Sequence, residues 1–254
     1  MRVKIFYYST KLSLNMKKVI FLVVSIALCT IFTANAKPKT LWLIGDATMA
    51  EYADTTNAYG WGTAFEQYIH KRISVVNLAD TGMSAKVFVE TGLLEKMENT
   101  RNRSYVLLQF GTNDLKEYAL NQYSSTDALL RHVNEIVSIA RQNRINVILC
   151  TPLALPFYKE GKLIDRLGSY PDAIRHLAAY HHLPLLDLEQ VTHTWLSNIT
   201  EDEAAAYYVT VDPTQLSIDE YQLNKEGAEI VAQLVKDAIM NGKSKKLKKI
   251  IKKH

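Results

Sequence analysis

Cysteine is scarce in this sequence: the 254-residue chain contains Cys29 and Cys150 and no other. If an N-terminal segment is removed, Cys150 alone remains, and an intrachain disulfide is excluded. The hydrophobic core must then supply the stability that disulfides give to many exported proteins. Cys150 ends the apolar run INVILC, which predicts that it packs as a small buried hydrophobic residue.

A long hydrophobic run is also missing. The apolar stretch at residues 19–32 is too short to span a membrane comfortably. It follows two lysines and precedes the sequence ANA, an order of basic, apolar and small residues that is typical of a secretory signal. We predict that residues 1–36 are a signal peptide cleaved after Ala36, that Met16 is a possible true start, and that the protein is secreted or periplasmic. The alternative is an uncleaved anchor.

Positive charge is sparse in the middle of the chain. The formal net charge is +4, but residues 1–36 carry five Lys/Arg and residues 243–254 carry seven, which leaves 18 basic against 26 acidic residues between them. This excess of acid excludes a nucleic-acid-binding footprint there. The basic tail at 243–254 places Leu247, Ile250 and Ile251 at helical spacing. It is either a solvated, frayed terminus or an amphipathic segment that makes weak contact with an anionic surface.

Five short apolar runs indicate buried strands, and they fall at residues 40–46, 73–80, 105–111, 145–152 and 183–188. Between them lie segments with apolar residues at helical spacing, one of which is predicted to begin with Ser125 or Thr126 as its N-cap. This alternation predicts an α/β fold, a three-layer α/β/α sandwich around a central five-stranded parallel sheet, flavodoxin-like in class. We assign residues 37–242 to one such domain, with 243–254 as a separate tail.

The functional groups of an open parallel sheet lie where its strands end. Four blocks follow the predicted strands or precede the last helix: Gly45-Asp46-Ala47, residues 77–84 around Gly82, Gly111-Thr112-Asn113-Asp114, and Asp219-Glu220-Tyr221-Gln222-Leu223-Asn224. Because the carboxyl ends of parallel strands meet at one edge, we expect the first three blocks to lie close together.

In this order and spacing the four blocks resemble the SGNH (GDSL-type) hydrolases. The segments GWG around Trp61, SYPDAIRHLA and LPLLDL are most similar to the rhamnogalacturonan acetylesterase-like branch. The resemblance covers nearly all of residues 40–240. It implies the SGNH hydrolase fold and the hydrolysis of esters on carbohydrates.

Carried over residue by residue, the resemblance implies an oxyanion hole that is present and reactive groups that are absent. The hole consists of the backbone N–H groups of Ala47 and Gly82 and the side chain of Asn113. Asp219 matches the acid that orients the catalytic histidine. However, Ala47 stands at the position of the nucleophilic serine and Gln222 at that of the histidine. A second register, with Gln215 at the histidine position, gives the same result.

The chain offers few substitutes for the missing groups, since no histidine lies between His193 and His254. Thr48 is expected to begin a helix and to cap or pack. Ser84, near the oxyanion glycine, is a weak candidate nucleophile. The adjacent His181 and His182, and His193, are expected at helix surfaces or in packing. The histidine spacing predicts no metal site, and no cofactor is expected.

We predict that Asp46, Trp61 and Thr112 contact substrate. Two functions from different classes compete. The first is a non-catalytic member of the acetylesterase-like family that binds an acetylated plant-type or other polysaccharide. The second is an active carbohydrate esterase with displaced catalytic residues; a scaffold or partner-binding role is a third possibility. We expect a monomer. Loops such as 156–167 would determine which glycan binds, but their sequence does not identify that glycan.

Overall fold

The computed structural model describes residues 39–98, 104–119, 125–212 and 217–252. The predicted signal peptide, Cys29, Gln215 and His254 lie outside these residues. The described chain forms one unit, Lys39–His254. No helix within the described ranges combines the length and the apolar character needed to cross a membrane.

All five predicted strands of the central sheet are present. They are β1 Lys39–Gly45, β2 Ile73–Asn77, β3 Tyr105–Gln109, β4 Asn146–Cys150 and, after two short strands described below, β7 Leu185–Leu186. Every neighbouring pair is parallel, and the order across the sheet is β2-β1-β3-β4-β7. The strands read as continuous apolar runs because both faces of the sheet are covered.

Two hairpins lie outside this sheet. β5 Tyr158–Lys159 pairs with β6 Lys162–Leu163, and β8 Tyr208–Asp212 pairs with β9 Ser217–Leu223; both pairs are antiparallel. The sequence did not predict either hairpin. The second matters for function because β9 carries Asp219 and Gln222.

Nine helices accompany the strands in the described chain. They are α1 Trp61–Phe65, α2 Ala85–Glu90, α3 Glu95–Glu98, α4 Thr112–Ala119, α5 Thr126–Gln142, α6 Tyr170–Tyr180, α7 Leu188–Leu196, α8 Glu201–Ala205 and α9 Lys225–Asn241. The predicted cap of α5 is Ser125, whose side chain accepts a hydrogen bond from the backbone N–H of Ala128. Asn224 caps α9 in the same way, through the N–H of Gly227.

The helices cover the sheet on both faces, which confirms the predicted three-layer sandwich. Alternate residues of β1 separate the two cores: Leu41 and Leu43 belong to one, with α1, α7 and α9, and Trp42 and Ile44 to the other, with α2, α5 and α6. Cys150 is fully buried in the first core, as predicted, and this burial raises the pKa of its thiol.

The C-terminal segment is part of this domain, so its assignment as a separate, frayed tail at 243–254 is corrected. Leu247, Ile250 and Ile251 are all buried in the first core. The Lys252 N–H donates to the Tyr68 carbonyl, and the His70 N–H donates to the Ile250 carbonyl, both at 2.8 Å. Because burial of one aliphatic side chain stabilises a fold by about 1.5–3 kcal/mol, this segment contributes substantially to stability.

Candidate functional site

The first block is a tight turn that follows β1 and is fastened by a buried carboxylate. Asp46 Oδ1 accepts hydrogen bonds from the backbone N–H of Thr48 at 3.1 Å and from its hydroxyl at 2.8 Å. Gln109, at the end of β3, donates to that same oxygen at 3.2 Å and to the Thr48 hydroxyl at 2.7 Å. Ala47 therefore sits at a braced turn. Thr48 lies in this turn and not in a helix, and its buried hydroxyl is engaged on both sides.

The GWG segment packs against the turn and is hydrogen-bonded to it. The Trp61 indole N–H donates to Gln109 Oε1 at 2.9 Å, and the Trp61 backbone N–H donates to the Thr48 carbonyl at 2.8 Å. A side chain on Gly60 or Gly62 would collide with the backbone carbonyls of residues 49 and 50, at 2.4 Å or less. Only glycine permits this approach, which places the indole in the core.

Two predicted substrate contacts are corrected by this arrangement. Trp61 and Asp46 are both 0% exposed, so neither side chain can touch a sugar in this structure. Trp61 positions Gln109, and Asp46 holds the turn that carries Ala47. Trp61 was predicted to contact substrate, but the glycines on either side of it are the reason that it packs inward.

The second and third blocks are joined by two side chains of α4. Asn113 Nδ2 donates to the carbonyl of Met83 at 3.1 Å, next to Gly82. Asp114 accepts from the N–H of Ala85 at 3.2 Å and from that of Gly111 at 3.1 Å. The predicted oxyanion residues Gly82 and Asn113 are therefore neighbours. Asp114 closes the third block of the sequence, but its role in joining the blocks was not predicted.

The Gly82 peptide is available for binding. Gly82 is exposed and has a φ of +73°, in the left-handed region that favours glycine. Within the described chain, the backbone N–H groups of Gly82 and Ala47 donate to no other residue. Asn113 uses one of its two amide hydrogens on Met83, and the second is free for another acceptor.

Thr112 is the third predicted substrate contact, and it also points inward. Its side chain is 2% exposed. The Thr112 hydroxyl and Asp46 Oδ2 are both buried without a hydrogen-bond partner, although the hydroxyl is close enough to Asp46 to favour its charged form. Burial dominates over this effect and raises the pKa of Asp46 above its usual range. Thr112 thus belongs to the buried support beneath the site.

The fourth block approaches from the β8–β9 hairpin. Asp219 Oδ1 accepts the Tyr221 N–H at 2.9 Å, and the Lys116 ammonium lies 3.6 Å from the centre of the Tyr221 ring. Lys116 is half-buried, and burial lowers its pKa, while the nearby carboxylates of Asp219, Asp46 and Glu220 oppose that shift. Asp219 therefore lies on the side of the site at which α4 ends.

Tyr52 connects this side to the nucleophile position. Its hydroxyl donates to the Ala47 carbonyl at 2.9 Å. Burial raises the pKa of the Tyr52 phenol, and the charges of Asp46 and Asp219 add to the effect. Gln222 is half-buried on β9, and among the described residues it makes no hydrogen bond to Ala47 or Asp219.

Several residues that support the site had no predicted role. Asp114 and Tyr221 lie within the predicted blocks, whereas Tyr52, Gln109 and Lys116 lie outside them. Lys116 had a usable signal, because it lies three residues after Asn113 on a helix and therefore shares its face. Gln109 could have been found from its place at the end of β3 next to β1, since a polar residue closing an apolar run needs a partner.

The family can now be assigned. A model of the family described as GDSL-like Lipase/Acylhydrolase matches residues 43–228, from β1 into α9. The chain belongs to the GDSL-like lipase/acylhydrolase family. Its four blocks lie at the ends of strands and before the last helix, where the resemblance predicted them.

Two curated relatives within this family come from Bacillus subtilis (strain 168). The chain is 29% identical over 212 residues to the rhamnogalacturonan acetylesterase RhgT, covering 80% of this chain and 90% of RhgT. It is 27% identical over 202 residues to the probable rhamnogalacturonan acetylesterase YesY, covering 78% of this chain and 91% of YesY. Rhamnogalacturonan acetylesterases are thus homologues of this protein at moderate identity.

Solved structures have the same fold. The protein YXIM of Bacillus subtilis superposes with a TM-score of 0.69 at 24% identity, covering 80% of this chain and 56% of that one. A catalytic mutant of Axe2, an acetylxylan esterase from Geobacillus stearothermophilus, superposes with a TM-score of 0.56 at 18% identity, covering 79% and 93%. At these identities the likeness shows the GDSL-like fold.

The alternative catalytic groups have other roles in this family member. Ser84 is 0% exposed and caps α2 through the N–H of Val87 at 3.2 Å. His181 bonds to Asn134 and Arg141 at the end of α6, and His193 lies beside Ser197 on α7. His182 follows α6 with a φ of +51°. None of these side chains has a hydrogen bond to Ala47, Gly82 or Asn113 within the described chain.

A groove of about 520 Å³ begins at Tyr52 and extends away from the nucleophile position. Its walls are the loop after the first turn and the start of β8 and α9, and its lining includes Tyr52, Asn57, Tyr59, Thr210, Asn224 and Glu226. Tyrosine rings, amides and a carboxylate together offer both apolar faces and hydrogen bonds. In the described part of the chain, no group of three His, Cys, Asp or Glu residues is placed to hold a metal ion.

Proposed function

We propose that this protein is a non-catalytic, or severely impaired, member of the carbohydrate acetylesterase-like GDSL family that binds an acetylated polysaccharide. The observation that carries the proposal is the contrast at the first turn. Ala47 has a methyl group at the position that the resemblance gives to the nucleophile, while the N–H groups of Ala47 and Gly82 and one amide hydrogen of Asn113 have no acceptor within the described chain.

The absence of two reactive groups argues against efficient turnover. In subtilisin, loss of the nucleophile or the base alone lowers turnover by about a millionfold. Here Ala47 has no hydroxyl, and the amide of Gln222 is not a useful base near neutral pH. Ser84 and His193 are engaged elsewhere, which makes an active esterase with these residues relocated the weaker hypothesis.

Binding needs neither of the missing groups. The backbone N–H groups can hold an acetyl carbonyl, and the groove beside Tyr52 and Tyr59 can hold sugar rings. These tyrosines take over the role that the sequence analysis gave to Trp61. The relatives named as rhamnogalacturonan acetylesterases support an acetylated plant-type polysaccharide as the ligand.

The test measures turnover and binding separately. We expect no release of acetate from acetylated rhamnogalacturonan above background, and retention of the protein on that polymer in an affinity gel. Retention should fall when the polymer is chemically deacetylated. Acetate release by the wild-type protein would refute the non-catalytic assignment, and no retention on either polymer would favour a scaffold or partner-binding role.

A matched pair of variants locates the binding site. Ala47→Leu places a larger side chain where the acetyl group would lie, so retention on the acetylated polymer should be lost. Ala179→Leu adds the same volume at an exposed position on α6 and should change nothing. Equal retention of both variants would place the glycan elsewhere on the domain.

We also propose that the protein is exported through the segment at 1–36. The support is the order of basic residues, a short apolar run and the sequence ANA. N-terminal sequencing of the exported protein should begin at Lys37. A mature chain that still carries residues 19–32 would instead indicate an anchor.

A further inference from the structure

A second concave surface lies at the opposite edge of the sheet from the candidate site. It is a groove of about 600 Å³ lined by Ile69, His70, Lys71, Lys248, Lys249, Ile251 and Lys252. Ile69 and His70 precede β2, at the amino ends of the parallel strands, whereas the GDSL-family blocks lie at their carboxyl ends. We call this surface the lysine groove.

The docked C-terminal segment gives the lysine groove its shape. Ile251 forms an antiparallel bridge with Ile69, and hydrogen bonds on either side of it join the segment to Tyr68 and His70. The apolar side chains of the segment face the core, so its lysines are left on the outer side. A sequence that looks like a solvated tail thus becomes one wall of a fixed groove.

The lysines of the groove have no acidic partners within the described chain. Lys71, Lys248, Lys249 and Lys252 form no ion pair there, whereas Lys86 and Lys236 on other surfaces each approach a carboxylate. Exposed Arg72 adds a further positive charge beside Lys71. Residues 37–254, which include the docked C-terminal segment, carry 25 basic and 26 acidic residues, so the groove is a locally positive surface on a domain of nearly balanced charge.

The shape of the groove and the burial of its apolar residues decide between two kinds of anionic partner. A membrane-binding amphipathic segment inserts its apolar face into lipid. Here Leu247 and Ile250 are buried in the core at 3% and 0% exposure, so no apolar face is left to insert. A concave surface lined by separate ammonium groups suits a flexible polymer chain better than a flat bilayer.

We propose that the lysine groove binds a polysaccharide that carries carboxylates, such as a chain of uronic acids, at a position separate from the acetyl site. The proposal rests on the proposed function in one respect: the homologues are named for a polymer that contains galacturonate. The lysine groove would bind the charged backbone of the polysaccharide, while the candidate site around Ala47 would bind its acetyl groups. Because Lys71, Lys249 and Lys252 are exposed, the contact is electrostatic and sensitive to salt.

The experiment uses polygalacturonate and a fully methyl-esterified form of the same polymer, which has the same backbone without the charges. Binding of the intact domain is measured by affinity electrophoresis at low and at high salt. We expect retention on polygalacturonate at low salt that falls by about tenfold or more as added salt screens the exposed charges, and no retention on the esterified polymer. Equal retention on both polymers would overturn the proposal.

Variants locate the contact. Lys248→Gln, Lys249→Gln and Lys252→Gln together should weaken retention on polygalacturonate by about tenfold or more, because three favourable charge contacts are lost. The matched control is Lys96→Gln, Lys159→Gln and Lys162→Gln, which removes the same charge from exposed positions elsewhere and should leave retention nearly unchanged. Equal losses in both triple variants would show a nonspecific charge effect and would contradict a site.

Other occupants give different results. Preferential binding to phosphatidylserine vesicles over polygalacturonate would assign the groove to a membrane, and a concentration-dependent dimer that the lysine changes dissolve would assign it to a second copy; either result overturns the proposal. The two glycan proposals are also separable. Ala47→Leu should leave retention on polygalacturonate intact, and the lysine changes should leave retention on a neutral acetylated oligosaccharide intact.

Discussion

The candidate site has an oxyanion side, formed by the turn after β1 and the start of α4, and a base side, formed by the β8–β9 hairpin. The oxyanion side is held by more hydrogen bonds between distant parts of the chain than the base side. On the oxyanion side Asp46, Asn113 and Asp114 are at most 4% exposed, and each is hydrogen-bonded to a residue from a distant part of the chain. On the base side Asp219 and Gln222 are half-buried on a two-stranded hairpin whose pairing shifts register twice. Within the described chain, the Asp219 side chain accepts a hydrogen bond only from Tyr221, two residues away.

Under the proposed function, this difference would explain how a site can keep the predicted oxyanion groups without the reactive ones. Asp114 joins α2 to the turn after β3, and Asp46 braces the turn after β1, so these residues are needed for folding whether or not the protein turns over substrate. Gln222 has no comparable structural role. The presence of the predicted oxyanion residues is therefore weak evidence for catalysis in this fold. The residues at the nucleophile and base positions are stronger evidence for or against activity.

The largest effect is expected from restoring both reactive groups. Ala47→Ser with Gln222→His should raise acetate release by about 10²- to 10³-fold over the wild-type protein, while either change alone should restore little, because nucleophile and base act as a unit. Initial rates on an acetylated chromogenic ester measure this. Adding Asp219→Asn to the double variant should lower the gain if Asp219 orients the new imidazole.

This prediction can fail in an informative way. If the double variant stays inactive while it still binds the acetylated polymer, the hairpin holds position 222 out of reach of residue 47. If Ala47→Ser alone is highly active, another group already serves as the base. Lys116, half-buried on the same helix face as Asn113, would be the first candidate, and Lys116→Met would test it.

The next prediction compares how much a side chain on the oxyanion side and one on the base side contribute to the free energy of unfolding. Asp114→Ala should lower the free energy of unfolding by about 2–4 kcal/mol, because it leaves buried N–H groups of Ala85 and Gly111 without acceptors. Asp219→Ala should cost less than about 1 kcal/mol, because its partner is a half-buried N–H on the same strand. Urea denaturation of both variants measures the difference. Equal losses would show that the base side is as strongly built as the oxyanion side.

Burial accounts for what the sequence could predict of this molecule. The five strands of the sheet were predictable because burial on both faces gives uninterrupted apolar runs such as YVLLQ in β3. The β8–β9 hairpin was not, since it lies outside the sheet and includes the polar stretch Ser217–Leu223. The C-terminal segment was predicted to be a tail because it is rich in lysine, although three of its residues pack in the core. Lysine can leave its charge in water while its neighbours pack inward.

The same reasoning applies to the site. The four blocks were predictable from their places at strand ends, but the direction of each side chain was not. Trp61 and Thr112 were expected to face substrate and face the core instead. What decides the direction of Trp61 is the close approach of Gly60 and Gly62 to residues 49 and 50, a contact between segments that no local pattern reveals.

A smaller effect is expected at the brace under Ala47, and it depends on pH. Burial raises the pKa of Asp46, so the ionised carboxylate costs stability in the folded protein, and that cost disappears as pH falls through the raised pKa toward the unfolded value of 3.8. Asp46→Asn keeps the Oδ1 acceptor and has no charge. Relative to wild type, this variant should therefore gain stability as pH rises from acidic to neutral.

Thermal unfolding of both proteins between about pH 4 and about pH 8 checks the direction. At neutral pH we expect the variant to lie within about 1–2 kcal/mol of wild type, since the hydrogen bonds to Oδ1 are retained. Asp127→Asn, an exposed position on α5 without an ion pair in the described chain, serves as a control for a general loss of one charge. A stability difference that does not change with pH would mean that Asp46 is not protonated in this range.

The smallest effect is expected at the contact that ties the hairpin to α4. The Lys116 ammonium lies 3.6 Å from the centre of the Tyr221 ring, an arrangement that contributes about 0.5–1 kcal/mol at partly exposed sites. Tyr221→Leu removes the ring and should cost about this amount, whereas Tyr221→Phe keeps the ring and should cost less.

Lys116→Met keeps the length of the side chain without its charge. If the cation–π contact is the source of the effect, Tyr221→Leu should add little to Lys116→Met, and the double-mutant cycle will report a coupling of this size. Additive losses would mean that Tyr221 and Lys116 stabilise the hairpin independently, and the base side would then have no specific tie to the oxyanion side.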